Sequence, residues 1–332
     1  MMWAFWALLA SLLIMTLGAE VLVRGASALA RKFGVSSFFI GLTIVGFGTS
    51  APELATGITA ALKGFSDINI GNVVGSNIFN LACTLGITAL IAPIIVNARV
   101  VRSEVILVIA TAFLPLLAGL TGRDITRLEG AVLTACFVAF LIRGYRNGRK
   151  EDPKLAEGLA HELEEELAVP GVKTVPAWLA IGLVVAGLAL LVAGSHLLVQ
   201  SSVAIARRFG VSELVIALTI VSAGTSAPEL VTSLVAAVRK QPDISIGNIL
   251  GSNIFNVLAI LGITSLVKPQ HVSDQVIWFD TPLLIVLSIA CLPIMMSHHR
   301  ISRSEGAVLF AFYIIYTLAL YTVIPAWFPA NT

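Results

Sequence analysis

Ten apolar runs, near residues 3–23, 36–62, 70–91, 104–122, 126–145, 175–199, 212–238, 246–267, 279–297 and 304–324, fill most of a 332-residue chain. Each is about twenty residues or longer, enough as a helix to cross the roughly 30 Å of hydrocarbon in a bilayer. No water reaches backbone N–H and C=O groups at that depth, so such a segment satisfies them within itself, as a helix. The expected fold is therefore an all-α polytopic membrane protein with ten transmembrane helices. Charged residues make up only 12% of the chain, against about a quarter in soluble domains.

The first run, MMWAFWALLASLLIMTLGAE, lacks the positive leader of a signal peptide and is expected to remain as a spanning helix. Cys83, Cys136 and Cys291 all lie in apolar runs, an odd number that suggests packing rather than disulfides. A net charge of +2 gives no footprint for nucleic acid, but its distribution orients the chain. With the N-terminus outside, 15 of the 21 Lys and Arg fall in cytoplasmic segments, so the positive-inside rule favours both termini outside. Missing signal and missing large regulatory insert favour a prokaryotic cell (inner) membrane.

Shifted by 176 residues, the sequence matches itself. RKFGVS at 31–36 meets RRFGVS at 207–212, and GTSAPELATG at 48–57 meets GTSAPELVTS at 224–233. DINIGNVVGSNIFN at 67–80 meets DISIGNILGSNIFN at 243–256, and RLEGAVL at 127–133 meets RSEGAVL at 303–309. The constant offset gives each copy five spans, and an odd number forces the second copy into the membrane upside down. The expected organisation is a five-helix half at 1–145, a cytoplasmic linker at 146–174 and a second five-helix half at 175–332. Leu155, Leu159, Leu163 and Leu167 recur every fourth residue in that linker, the pattern of a short amphipathic helix. Inverted repeats of this kind are typical of secondary transporters, with the binding site near mid-membrane where the halves meet.

The best-matched stretches are polar, and packing in lipid does not require that. Glu53 and Glu229 sit mid-span, where a carboxylate costs roughly 2.5–3.5 kcal/mol on insertion scales. No Lys, Arg or His shares the central part of either helix, so a cation that comes and goes is the economical partner. Pro52 and Pro228 deprive the Gly48 and Gly224 carbonyls of their helical donors, which makes those carbonyls candidate oxygen ligands. Thr49 and Ser50 precede Glu53 by four and three residues, and Thr225 and Ser226 precede Glu229 likewise, placing hydroxyls on the carboxylate face. Asn72, Ser76 and Asn80 form one polar stripe, and Asn248, Ser252 and Asn256 the matching one. Gly71, Gly75, Gly247 and Gly251 beside them allow close helix approach. Asn77 and Asn253 lie one residue off the stripes and are expected to bond broken helix ends. The set is all hard oxygen, suited to Ca²⁺ and usable by Na⁺, and unsuited to Zn²⁺ or Cu²⁺; Mg²⁺ holds its water too strictly.

GTSAPEL paired with GNxxGSNIFN, once per copy, resembles the two alpha repeats of the calcium/cation antiporter superfamily, the sodium/calcium exchangers in particular. The resemblance covers essentially the whole chain. It implies ten helices in two inverted five-helix repeats and exchange of Ca²⁺ for Na⁺ by alternating access. It also implies Glu53 and Glu229 as central ligands, with Thr49, Ser50, Ser76, Asn80, Thr225, Ser226 and Ser252 around them. Some members carry an acid where this chain has Asn256, and that departure leaves Na⁺ and H⁺ both open as the driving ion. No cofactor is expected; the partners are membrane lipid and the transported cations, with no nucleic acid and no obligate protein partner.

Two other function classes fit these residues less well. A cation channel ringed by glutamates usually gains symmetry about the membrane normal, whereas these copies are inverted. An intramembrane enzyme using Ser50 or Ser226 lacks a base nearby in sequence; the one histidine in an expected span is His196. Glu104 and Asp280 read as structural acids at helix starts. Glu129 and Glu305, beside Arg127 and Arg303, read as interfacial anchors, and His196 as an interfacial residue with water access.

Overall fold

The computed structural model describes residues 2–96, 98–148, 176–208, 222–296 and 300–322. In chain order the elements are α1 (Met2–Phe33), α2 (Ser37–Thr49), α3 (Ala51–Lys63), α4 (Ile68–Ile91), β1 (Ile94–Ile95), α5 (Arg102–Thr121), β2 (Asp124–Ile125) and α6 (Arg127–Gly148). After the linker come α7 (Ala177–Arg208), α8 (Ser222–Thr225), α9 (Ala227–Val238), α10 (Pro242–Val267), β3 (Gln270–His271), α11 (Val276–Met296), β4 (Arg300–Ile301) and α12 (Arg303–Thr322). Among the described residues eight helices are long and apolar enough to cross a membrane, and nine if the bent pair α2–α3 counts as one. The run expected at 212–238 is described only from Ser222 onward, and the expected amphipathic helix at 155–167 lies outside the described residues.

The expected spans at 3–23 and 175–199 are longer in the structure, since α1 and α7 each run 32 residues. At 1.5 Å per residue that is about 48 Å, well beyond the hydrocarbon thickness. The two pack antiparallel: Gly25 lies against Ala180 and Val184, Gly18 against Gly187 and Leu190, and Gly194 against Ser11 and Met15. A methyl group at Gly18 would stand 3.0 Å from the Gly187 carbonyl oxygen, so the backbones meet directly there. Met15, Leu22, Val23, Leu29, Val184 and Leu191 belong to the apolar cluster around this pair, and a larger second cluster unites α4, α5, α6, α10 and α11.

Two short ribbons cross between the sequence copies. β1 pairs antiparallel with β4, Ile94 opposite Ile301, and β2 pairs antiparallel with β3, Asp124 opposite His271. Four stretches have the wider π-helical turn: Gly41–Val45, Phe79–Thr84, Asn256–Leu261 and Val276–Asp280. The second and third occupy nearly the same place in each copy. Such turns in helices concentrate at functional sites.

The ambiguous acids resolve into ordinary structure, with one correction. Glu129 and Glu305, expected as interfacial anchors, serve as helix caps. Glu129 accepts the Thr126 backbone N–H at 2.7 Å, Glu305 accepts that of Ser302 at 2.7 Å, and each hydroxyl answers from the other side. This is a capping box, whose S/T-x-x-E spacing is present in both copies. Glu104 pairs with Arg143 at 2.9 Å, while Asp280 at the matching place accepts from Tyr316 at 3.0 Å and Gln275 at 3.1 Å. His196 is exposed and bonds Gln200.

Candidate ion-binding site

Both GTSAPEL motifs break their helix at the serine. Ser50 has φ −85° and ψ 10°, and Ser226 has φ −88° and ψ 4°. α2 and α3 consequently meet at 45°. Proline sits in the first turn of α3 and of α9, where its missing N–H costs nothing. The break turns a mid-membrane glutamate into a first-turn glutamate: Glu53 and Glu229 lie at the N-terminal ends of α3 and α9, where the helix dipole favours an anion. Each is 1% exposed, and they are close enough to repel one another.

The serines serve the opposite copy. Ser50 Oγ donates to Glu229 Oε1 at 2.7 Å, and Ser226 Oγ donates to Glu53 Oε1 at 2.9 Å. Helical spacing alone had placed each serine on the face of its own glutamate; the chain break swings it across instead. Thr225 also stands beside Glu53, and Thr49 and Ser252 beside Glu229. Ser76 Oγ lies 2.9 Å from Ser226 Oγ. Six of the expected residues besides Asn80 and Asn256 thus gather with the two carboxylates in a buried cluster drawn from both copies.

Four oxygens in this region accept no hydrogen bond among the described residues: Glu53 Oε2, Glu229 Oε2, Asn80 Oδ1 and Asn256 Oδ1. Every buried acceptor of this kind calls for an explanation, and an ion or a water is the usual one. None of the ion pairs among the described residues involves either glutamate. Asn256 is oriented by its amide, which donates to Asn77 Oδ1 at 2.9 Å. Asn77 and Asn253 in turn donate to the backbone, to the carbonyls of Asn253 at 3.3 Å and Ile249 at 2.7 Å respectively. Backbone bonding of these two was expected, although the carbonyls lie within α10 rather than at a broken helix end.

The freed carbonyls need correction. Gly224 O is taken by the Ser195 hydroxyl of α7 at 2.5 Å and is not an open ligand. In the first copy the carbonyl that gathers hydroxyls is Gly46 O, which accepts Ser252 Oγ at 3.2 Å and Thr49 Oγ1 at 3.3 Å, rather than Gly48 O. Gly251 and Gly247 press against Leu42 and Gly41, which brings α10 close enough for that contact.

Sequence reasoning gave Asn248 a place on the polar stripe but no task. In the structure it is a hub: Oδ1 accepts Thr49 Oγ1 at 3.0 Å, and Nδ2 donates to the Glu229 carbonyl at 3.2 Å and to Ser233 Oγ at 2.8 Å. Its counterpart Asn72 has no hydrogen-bond partner for Nδ2 among the described residues, because Gly57 stands where the second copy has Ser233. The difference between Gly57 and Ser233 was the available signal. Ser195 could not have been found this way, since Ala19 takes its place in the first copy.

Comparison with known proteins places this geometry. Residues 3–145 and 179–322 match the family described as sodium/calcium exchanger protein. The putative antiporter CaxA of Alkalimonas amylolytica is 38% identical over 317 residues, covering 95% of this chain and 97% of that protein. The sodium/calcium exchanger MaX1 of Methanosarcina acetivorans is 31% identical over 349 residues, covering 96% and 99%. The solved structure of the sodium-calcium exchanger NCX_Mj, soaked with Na⁺ and Sr²⁺, superposes with a TM-score of 0.80 at 28% identity, covering 95% of this chain and 97% of that one. The chain is an integral membrane protein of the sodium/calcium exchanger family.

Proposed function

We propose that this protein exchanges Ca²⁺ for Na⁺ across the membrane by alternating access, at a site whose charge comes from Glu53 and Glu229. The observation that carries the reading is reciprocal. Each carboxylate receives a serine hydroxyl from the opposite copy on one oxygen and leaves the other oxygen without a donor. Two buried carboxylates with free oxygens, and no paired base, present about −2 of charge in a low-dielectric setting. One Ca²⁺ or two Na⁺ neutralises that charge, and the loaded site then crosses the barrier that the empty one resists. Thr49, Ser50, Ser76, Asn80, Thr225, Ser226, Ser252 and Asn256 complete an oxygen shell of the kind Ca²⁺ takes, with 6–8 ligands in flexible geometry. Because the two ions need the same oxygens, they exchange rather than leak.

The same reading takes the halves 1–145 and 175–332 as inverted five-helix repeats, ten helices in all, with both termini outside. Antiparallel packing of α1 on α7 and the crosswise ribbons β1–β4 and β2–β3 support it. Names borne by relatives, an antiporter and a sodium/calcium exchanger, point the same way.

The test is uptake of radiolabelled Ca²⁺ into proteoliposomes loaded with Na⁺, or with K⁺ and an imposed pH gradient. Uptake driven by the Na⁺ gradient and abolished in Glu53→Gln and Glu229→Gln supports the proposal. Uptake indifferent to Na⁺ but driven by the pH gradient would make H⁺ the counter-ion instead. Full activity in both variants would remove the site.

A further inference from the structure

Beyond the two carboxylates lie two places that are equivalent in the repeat but lined by different side chains. One lies a turn beyond Glu53, at Gly57. A side-chain carbon there would meet Asn69 Oδ1, Ile260 and Thr264. This pocket is closed by amides and an aliphatic chain. Asn69 Nδ2 donates to Thr264 Oγ1 at 2.8 Å and to Gln270 Oε1 at 3.0 Å, and Thr264 donates to its own helix at Ile260 O, 2.7 Å away.

Moving by 176 residues changes three of the four lining residues and keeps the threonine. Ser233 replaces Gly57, Ser245 replaces Asn69, Thr84 replaces Ile260 and Thr88 replaces Thr264. The helices carrying them do meet: α9 packs on both the 79–84 and 85–91 stretches of α4, and on α10. Ser233, Ser245, Thr84 and Thr88 are all 0% exposed, as is Thr232 beside Ser233. Of these five hydroxyls, only Ser233 has a partner, the amide of Asn248; Thr84, Thr88, Thr232 and Ser245 have none among the described residues.

Four unpartnered hydroxyls at full burial are costly if nothing occupies the space between them. Apolar residues would serve packing at no such cost, as Ile260 does at the Thr84 place. We propose that Thr84, Thr88, Thr232, Ser233 and Ser245 line a station for a single Na⁺, one turn beyond Glu229, through which the monovalent ion passes between that carboxylate and one face of the membrane. The lining fits a monovalent ion because it holds no charge: the Born cost of burial rises with the square of the ion's charge, so neutral oxygens that accommodate Na⁺ leave Ca²⁺ uncompensated. Ca²⁺ is confined to the carboxylates. The Gly57 place is taken by Asn69 and Ile260, with Asn69 Oδ1 its unpartnered buried oxygen against four hydroxyls on the other side, so the station is assigned to the Glu229 side. The inference rests on the exchange proposed above and deepens it.

The experiment uses full-length protein in proteoliposomes and two assays, Na⁺-driven Ca²⁺ uptake and Ca²⁺/Ca²⁺ exchange without Na⁺. Thr84→Val with Thr88→Val, and separately Ser245→Ala, are expected to raise the Na⁺ concentration for half-maximal uptake at least fivefold. Ca²⁺/Ca²⁺ exchange should stay within twofold of the parent protein. The conservative pair Thr84→Ser with Thr88→Ser, which keeps both hydroxyls, should restore the parent Na⁺ dependence and guards against misfolding. Unchanged Na⁺ dependence in the valine pair overturns the station, and so does an equal loss in both assays, which would merge the hydroxyls with the shared site. Parent protein that performs Ca²⁺/Ca²⁺ exchange yet ignores Na⁺ overturns the station together with the sodium reading. That result is distinguishable, because it appears before any substitution is made.

Discussion

Ser195 donates its hydroxyl to the Gly224 carbonyl across 2.5 Å, at a position where the first sequence copy has Ala19. One helix break is thus clamped to its neighbour and the other is not. Replacing Ser195 with Ala leaves a buried carbonyl without a donor, which costs about 1–3 kcal/mol. The expected result is a lower melting temperature in detergent for Ser195→Ala. Ala19→Cys, which changes a buried residue of similar size without touching a hydrogen bond, should cost less.

The crossed serines predict matched effects. Ser50→Ala removes the donor to Glu229, and Ser226→Ala the donor to Glu53. A hydrogen bond to a charged group contributes about 1.5–3 kcal/mol, so each substitution should weaken apparent Ca²⁺ affinity by roughly 10- to 100-fold. In a double-mutant cycle Ser50→Ala should couple to Glu229→Gln more strongly than to Glu53→Gln. Ca²⁺ binding followed by calorimetry would report the coupling, and stronger coupling within one copy would contradict the crossing.

Asn248 Nδ2 donates to the Glu229 carbonyl and to Ser233, whereas Asn72 Nδ2 has no partner among the described residues. Asn248→Ala should therefore be the more damaging of the two alanine substitutions, because it removes the amide from Ser233 and the Glu229 carbonyl, at about 1–3 kcal/mol for each buried group left unsatisfied. Comparing thermal stability and transport rate of Asn248→Ala with Asn72→Ala checks this directly; equal losses would count against a hub at Asn248.

Charge predicts the outcome at Asn256. Its Oδ1 accepts no hydrogen bond, while its amide rests on Asn77. Asn256→Asp adds one negative charge to a site of about −2, so neutralising the site calls for about one more Na⁺. The Na⁺ Hill coefficient should rise from about 2 toward 3, and Ca²⁺ uptake should become sensitive to a membrane potential set with K⁺ and valinomycin. Identical voltage responses before and after the substitution would count against neutralisation as the condition for crossing.

Most of the helical plan was legible because lipid leaves a chain few options. The runs at 126–145, 279–297 and 304–324 lie within a few residues of α6, α11 and α12. Helix ends were less legible where a segment continues past the hydrocarbon, as α1 does through Arg24 and Arg31, since length in water carries no hydropathy signal. The polar residues of the candidate site were legible as a set, because the second copy repeats them. Their partners were not. Helical spacing tells which side chains share a face of one helix, but a break at Ser50 or Ser226 redirects the hydroxyl to a carboxylate 179 or 173 residues away. Glu129 and Glu305 show the reverse: the capping spacing is present in both copies and specifies a contact within a single turn.

The crosswise ribbons carry a consequence for assembly. β1 of the first copy finds its complement only in β4 of the second, and β2 only in β3, one at each end of α5. Neither sequence copy can complete its own edge. A chain cut between the copies would yield fragments that each display two unmatched edges, and these can be closed only by the other fragment.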